Sequence, residues 1–317
     1  MKAFGGFPYK QVEFDSGTGI HYYSSARVAL LDFLLQAKAA TIFIPNYVCN
    51  NLVEPLQNVF NVKRYSIGKN FLPECHIELG KNQYLIYVNY FGVCDKNVTA
   101  MQKRYDHTKL IIDNSQSMNF GPLKVAATIY SPRKFLPIPD GGILITDHKM
   151  KTPSAEIKYG DEFLREMELG NRQESYDLYL LNENKFRNAE ITKMSLASRS
   201  IFNLFMTASK FSIDRLNHFN IIHEKLSNWN RLSKWFAINR STVPLCYPLL
   251  FCDRIAKEKF IQNEIYIPTY WPDVDVDSLN EFETCLKSDV IYLPLSNLAS
   301  DGDCIDYRDA VAELLGI

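Results

Sequence analysis

The sequence has 317 residues, and 35 Lys and Arg against 36 Asp and Glu give a formal net charge of -1. A near-neutral chain without a basic stripe argues against a broad nucleic-acid surface, because affinity for phosphate backbones needs clustered cations. No apolar run reaches the length of a membrane helix, and the first residues lack the apolar centre of a signal peptide. We therefore expect a cytoplasmic protein that does not enter a membrane. Seven cysteines without a Cys-x-x-Cys pair favour reduced thiols over a disulfide frame or a metal site.

Strand and helix patterns alternate in the first half of the chain. Short apolar runs predict buried strands, and the longer amphipathic runs between them predict helices. This order predicts an α/β layer fold with a mainly parallel sheet. The predicted elements are a helix at 26–38, a strand at 41–44, a helix at 49–58, a strand at 84–88, a helix at 95–104, and strands at 109–113, 125–130 and 142–146.

The second half of the chain changes character. Residues 151–212 show long helical patterns, and we expect part of this stretch to contact another subunit. The following elements predict a smaller α+β unit, so that a large domain covers 1–215 and a small domain covers 216–317. The elements of this unit are a helix at 213–232, a strand at 243–251, a helix at 254–263, strands at 265–272 and 290–295, and a helix at 306–315.

Lys134 lies in a confined loop between two apolar strands. It ends the sequence Ser-Pro-Arg-Lys at 131–134, and Asp140 with two glycines follows before the next strand. Pro and Gly set the backbone of such a loop closely. A lysine held there can be partly desolvated, which lowers its pKa and makes the amine nucleophilic toward an aldehyde. The aldehyde that this arrangement suggests is pyridoxal 5'-phosphate.

Asp113 ends the apolar run 110–112, which predicts a buried parallel strand. Ligands bind at the carboxyl ends of such strands in open α/β sheets. A carboxylate there can pair with the pyridine nitrogen of the cofactor and keep the ring an electron sink. Gln116, three residues later, could reach the ring hydroxyl.

Ser25 and Ala26 come directly before the amphipathic run 27–35. Backbone N–H groups at a helix start, the helix dipole and a serine hydroxyl together make an anion site. These residues therefore predict a cradle for the cofactor phosphate, and Ser131 could add a second hydroxyl.

These motifs resemble the DegT/DnrJ/EryC1/StrS family of sugar aminotransferases, which are fold-type-I pyridoxal phosphate enzymes, over nearly the whole chain. The segments that carry the resemblance are 4–7, 25–30, 44–49, 88–92, 113–117 and the Lys134 loop with its Gly-Gly.

The resemblance implies a mainly parallel central sheet flanked by helices, with a smaller C-terminal α+β domain. It also implies Lys134 as the Schiff-base lysine, Asp113 at the pyridinium nitrogen, Gln116 near the ring oxygen, and Ser25, Ala26 and Ser131 at the phosphate. The implied reaction moves an amino group, commonly from glutamate, to a keto-sugar nucleotide, in cell-surface polysaccharide or amino-sugar biosynthesis. Lys134 would act as the base that moves the proton. A homodimer is expected, because the family builds each active site from two subunits.

One position departs from the family. Many members carry an aromatic residue, stacked on the cofactor ring, where this chain has Cys49. We expect Cys49 to lie at the cofactor and Tyr47 to take over the stacking. No residue of the segment 184–188 matches the family's substrate-loop asparagine, so no residue is assigned to the sugar.

Two alternatives stay open, and a third is rejected. A non-catalytic or regulatory homologue would keep the fold and perform no turnover. A related dehydratase would remove a substrate hydroxyl without net amino transfer. Ser131-x-x-Lys134 also matches the Ser-Lys motif of penicillin-binding enzymes, but the Ser-Asp-Asn and Lys-Thr-Gly elements of that group do not occur here.

Overall fold

The computed structural model describes residues 19–121, 123–156, 160–186, 190–207, 210–252, 257–295 and 300–317. The Phe-Gly-Gly-Phe segment at 4–7 and part of the predicted helix 254–263 lie outside these ranges. No helix among the described residues is both long and apolar enough to cross a membrane.

A seven-stranded sheet forms the centre of the fold, in the order β1-β7-β6-β5-β4-β2-β3. Strands β2 to β6 pair in parallel with their neighbours, whereas β7 is antiparallel to both β6 and β1. The predicted mainly parallel α/β sheet is therefore confirmed. The strands are β1 Gly19–Tyr23, β2 Thr41–Pro45, β3 Asn61–Tyr65, β4 Gln83–Val88, β5 Leu110–Asp113, β6 Ala127–Tyr130 and β7 Gly142–Thr146.

Helices cover the sheet, and the central strands are buried along most of their length. The first helix shows why the chain folds this way: Ser25 caps its N-terminus, and most of its residues are buried against β1, β6 and β7. The helices of this part are α1 Ala26–Gln36, α2 Asn50–Gln57, α3 Asp95–Arg104, α4 Glu162–Glu168, α5 Arg172–Lys185, α6 Leu196–Thr207 and α7 Lys210–Leu226.

The C-terminal part contains a second, two-stranded sheet, in which β8 Cys246–Leu249 pairs antiparallel with β9 Ile291–Pro294. Its helices are α8 Lys257–Ile261, α9 Glu281–Ser288 and α10 Asp301–Leu315. Helix α10 packs on α7, and α7 packs on β8. The predicted division at 215 and 216 falls inside α7 and stays a prediction.

The predicted strand at 265–272 is wrong, because no residue of this segment belongs to a strand. The apolar and aromatic side chains suggested a strand, but Pro268 and Pro272 lack the N–H groups that a sheet ladder needs. The segment runs instead along the cavities described below and supplies side chains to their walls.

Candidate active site

A cavity of about 150 Å³ opens at the carboxyl edge of the parallel strands. The loop after β6 ends at β7, and because β7 runs antiparallel, both ends of this loop lie at the same edge. Seven of the eight residues predicted for the site line this one cavity, namely Ser25, Ala26, Cys49, Asp113, Gln116, Ser131 and Lys134. Tyr47 is the exception.

The N-terminus of α1 points its backbone at the cavity. The Ser25 hydroxyl accepts a hydrogen bond from the Val28 N–H at 3.3 Å, which makes Ser25 the N-cap. Ser25 and Ala26 both line the cavity. The first N–H groups of a helix have no partner within the helix, so this end suits an anion.

The two glycines after Asp140 hold this helix start in place. The Gly141 N–H donates to the Ser24 carbonyl at 2.6 Å, with Gly141 at a φ of 146°. A Cβ on Gly142 would lie 2.0 Å from the Ser25 carbonyl carbon and 2.2 Å from the Ala26 nitrogen. Only a glycine at 142 therefore allows the helix start and the Lys134 loop to meet.

Lys134 stands where three cavities meet, of about 150, 400 and 240 Å³. Its loop makes a single 3-10 turn, Pro132–Lys134, and the Lys134 N–H donates to the Ser131 carbonyl at 3.1 Å. The Lys134 side chain is exposed toward the cavities, while protein atoms surround its amine closely enough to desolvate it. This burial lowers the pKa of Lys134 from its ordinary value, against the opposing effect of nearby Asp113 and Cys49.

Asp113 is buried at the end of β5 and lines the same cavity. Burial raises the pKa of its carboxyl, while the hydrogen bonds from Ser115 and the charge of Lys134 act in the opposite direction. One of these bonds is 2.8 Å long, from the Ser115 N–H to Asp113 Oδ1. A cationic partner at the cavity would stabilise the carboxylate form of Asp113.

Gln116 lines the cavity and carries a buried donor that no described residue uses. Its Oε1 accepts a hydrogen bond from the Phe91 N–H at 2.8 Å, which fixes the orientation of the amide. Its Nε2 is buried and has no hydrogen-bond partner among the described residues. Buried donors without a partner are rare, so this nitrogen suggests a ligand with an acceptor oxygen.

Cys49 and Tyr47 take different positions around the loop after β2. Cys49 precedes α2 and lines the cavity, where burial raises the pKa of its thiol. Tyr47 is fully buried, does not line the cavity, and its hydroxyl lies 2.9 Å from the Tyr292 hydroxyl. The side chain expected to stack on the cofactor is thus enclosed within the core.

Sequence reasoning assigned no role to several residues that line the cavity. Arg27 follows the helix start, and its Nη1 donates to the Phe186 carbonyl at 2.9 Å. Arg133 precedes Lys134, pairs with Glu183 and lies over the Phe186 ring at 4.0 Å. The two arginines could have been found by their position next to the predicted cofactor residues. Trp271, from the segment wrongly predicted as a strand, gave no such signal.

A second cavity, of about 400 Å³, adjoins the first at Lys134. Arg215 lines it, and its guanidinium donates to the carbonyls of Pro244 and Leu245 at 2.9 and 2.7 Å. Burial lowers the pKa of Arg215 to about 10. The Tyr270 side chain also faces this cavity. A buried cation on the wall of a cavity that Lys134 also lines favours an anionic group on the molecule that binds there.

The residues that lead into α6 return to the carboxyl edge of the sheet, beside Ser24 and Asp140. Near their return, Thr192 Oγ1 donates to Ser24 Oγ at 2.8 Å. Asp140 accepts bonds from the Ser195 N–H at 2.7 Å and the Ser195 hydroxyl at 2.6 Å, and also from Ser198. Asn182, in α5, donates to the Pro139 carbonyl at 2.9 Å. These bonds tie the start of α6 and the hairpin of α4 and α5 to the Lys134 loop.

Comparison with solved structures identifies the fold. A DegT DnrJ EryC1 StrS aminotransferase from Brucella abortus superposes with a TM-score of 0.63 at 12% identity, over 95% of this chain and 87% of that one. A sugar aminotransferase from Micromonospora echinospora has a TM-score of 0.56 at 12% identity, over 93% and 86%. NtdA from Bacillus subtilis, with bound cofactor PMP, has a TM-score of 0.59 at 12% identity, over 93% and 73%.

The chain therefore has the fold of these aminotransferases, which confirms the fold class predicted from its sequence. No family model matches the sequence, and no curated protein matches it either.

Proposed function

We propose that this chain is a pyridoxal phosphate-dependent aminotransferase that acts on a keto-sugar nucleotide. The observation that carries the proposal is the convergence of Lys134, Asp113 and the N-terminus of α1 on one cavity at the carboxyl edge of the sheet. An amine with a lowered pKa, a buried carboxylate and an anion site are the three groups that this cofactor requires. The likeness in fold to sugar aminotransferases supports the same conclusion.

Other residues of the cavity fit the cofactor at two further places. Ser25, Ala26 and Ser131 would hold its phosphate at the start of α1, which packs closely on Gly142. The unpartnered Gln116 Nε2 would donate to its ring oxygen.

When bound, pyridoxal phosphate supplies an electron sink for negative charge at the substrate carbon. Asp113 would hold a proton on the ring nitrogen, because a carboxylate beside that nitrogen favours its cationic form. Lys134 would hold the cofactor through its amine and, once released, would act as the base that takes the proton from the substrate carbon. The lowered pKa of Lys134 supports this role, since the neutral amine is the form that accepts a proton.

The second cavity supports a place for the substrates. It meets the first at Lys134, so a molecule bound there lies within reach of the amine. The charge of Arg215 favours an anion, which suits the carboxylate of an amino donor such as glutamate and the phosphates of a sugar nucleotide.

A homodimer is part of the proposal. Exposed apolar side chains lie on the consecutive helices α4, α5 and α6, including Met167, Leu181, Leu196 and Leu204. Such surfaces on a protein of this size mark an interaction site. We assign this surface to a second copy of the chain, and a cytoplasmic location stays a prediction.

The test is to capture the cofactor. Protein incubated with pyridoxal phosphate should become yellow, and borohydride should fix the cofactor on the peptide that contains Lys134, as read by mass spectrometry. Lys134→Ala should abolish this label, whereas Lys124→Ala, which removes an exposed lysine of the neighbouring loop, should keep it. Protein that stays colourless and unlabelled would refute the proposal.

A second step separates the proposal from its alternatives. Glutamate should convert the yellow form to the amine form and release the corresponding keto acid, and a panel of keto-sugar nucleotides should restore the colour. A non-catalytic homologue would bind the cofactor without this exchange. A dehydratase would remove a substrate hydroxyl and leave the amount of amino product unchanged.

A further inference from the structure

The cavity is lined by polar side chains, by a few apolar side chains and by one aromatic side chain. Asp113 and Gln116 would meet the polar groups of a bound ring and Ser25 its phosphate, and the apolar residues from the sheet and α2 are aliphatic. Trp271 is the only aromatic side chain among the described residues that line the cavity. A planar aromatic ligand is best bound by an aromatic face, because offset stacking adds to the burial of apolar area.

Neighbouring tyrosines fix the Trp271 ring in place. Tyr47 meets it edge to face, with ring centroids 4.7 Å apart and planes at 67°, and Tyr90 does so at 6.2 Å and 69°. Tyr47 and Tyr90 are fully buried, and Trp271 itself is 8% exposed. Tyr47 thus packs against Trp271 and does not itself line the cavity.

The backbone at Trp271 is unusual for a large side chain. Its φ is 51°, in the left-handed region that favours glycine. Pro272 follows, and a proline normally restricts the residue before it to extended backbone. Conformations of this kind persist where the surroundings determine them, and they concentrate at ligand sites. Trp271 adopts this conformation and also lines the cavity.

We propose that Trp271 packs against the face of the pyridine ring of pyridoxal phosphate, in the place of the aromatic residue that Cys49 replaces. The inference rests on the proposed function, since it concerns the same cavity. The chain thereby supplies the aromatic wall from its C-terminal part, whereas Cys49 lies in the loop after β2.

The first test compares cofactor affinities by titration of the visible absorption. Trp271→Ala should weaken binding about tenfold, equivalent to about 1.4 kcal/mol, and Trp271→Phe, which keeps an aromatic face, should stay within about twofold of the original. Trp229→Ala is the control, because Trp229 is exposed and lies outside the cavity. Equal affinities for the Trp271→Ala and Trp271→Phe proteins would overturn the inference.

The second test observes Trp271 itself and needs only the conservative Trp271→Phe protein as its reference. The chain has three tryptophans, so Trp229→Phe with Trp235→Phe makes Trp271 the sole emitter. Binding of pyridoxal phosphate should quench a larger fraction of the tryptophan fluorescence in this double variant than in the Trp271→Phe protein, which keeps Trp229 and Trp235. An equal or smaller fraction would overturn the inference.

The two proposals fail in different ways. If borohydride fixes no cofactor on Lys134 in the unaltered protein, the proposed function fails. If it does and the fluorescence of Trp271 does not respond, only the role of Trp271 fails.

Discussion

The close approach of the Lys134 loop to the first helix depends on Gly142, and replacing it with alanine tests this contact. The new Cβ would lie 2.0 Å from the Ser25 carbonyl carbon and 2.2 Å from both the Ala26 nitrogen and the Ser25 oxygen. All three are backbone atoms, so no side-chain rotation can relieve the overlap. Overpacking in a close-packed interior costs about 1–3 kcal/mol, and a clash between backbones belongs at the upper end.

We therefore expect Gly142→Ala to lower the free energy of unfolding by about 3 kcal/mol, measured by urea denaturation followed by circular dichroism. Affinity for pyridoxal phosphate should fall as well, because the helix start that receives the phosphate must move. Gly302→Ala in α10 is the matched control, since the nearest atom to its Cβ is Ser300 Oγ at an ordinary 3.5 Å. It should change stability by no more than about 1 kcal/mol. The same stability for both variants would refute the reasoning.

Three further predictions concern the cavity and the exposed helices. Because burial lowers the pKa of Lys134, the rate at which its amine captures pyridoxal, measured by rapid borohydride trapping, should rise with pH through a midpoint below 10.5. Asp113→Asn removes a charge that raises this pKa and should move the midpoint lower still. A midpoint at the ordinary value would contradict this prediction. Gln116→Leu leaves the buried Phe91 N–H without its acceptor and should cost about 1–3 kcal/mol of stability in urea, whereas Gln173→Leu, at an exposed amide bonded to Asp177, should cost less than about 0.5 kcal/mol. Leu196→Asp places a charge on the exposed apolar surface and should shift the protein from dimer to monomer. Light scattering would measure the molar mass, and an unchanged mass would contradict the prediction.

The central sheet could be predicted because its inner strands are apolar throughout. Strands β4, β5 and β7 follow the predicted ranges closely. Strand β3 could not be predicted, since Asn61–Tyr65 lies at the edge of the sheet and most of its residues are exposed. An edge strand needs no alternating apolar pattern, so pairing with β2 alone decides its structure.

The cavity was predictable where its residues directly follow recognisable strands or begin a helix. Asp113, Lys134 and Ser25 belong to this group, because local sequence places each at the sheet edge. Tyr47 and Trp271 could not be distinguished in the same way. Which aromatic ring reaches the cavity depends on packing between distant segments, and neither periodicity nor spacing encodes it.

The two sides of the α4 and α5 hairpin are joined where the Lys193 N–H donates to the Ala155 carbonyl, and bonds of Ser195 to Asp140 and of Thr192 to Ser24 attach this point to the sheet. The hairpin of α4 and α5 is therefore an insertion whose two ends meet at one point. Changes in length are tolerated best where both ends of an insertion are fixed, so the turn between α4 and α5 can vary most freely. Asn182 and Glu183 of α5 contact Pro139 and Arg133, and these contacts make the hairpin a support for the lysine loop.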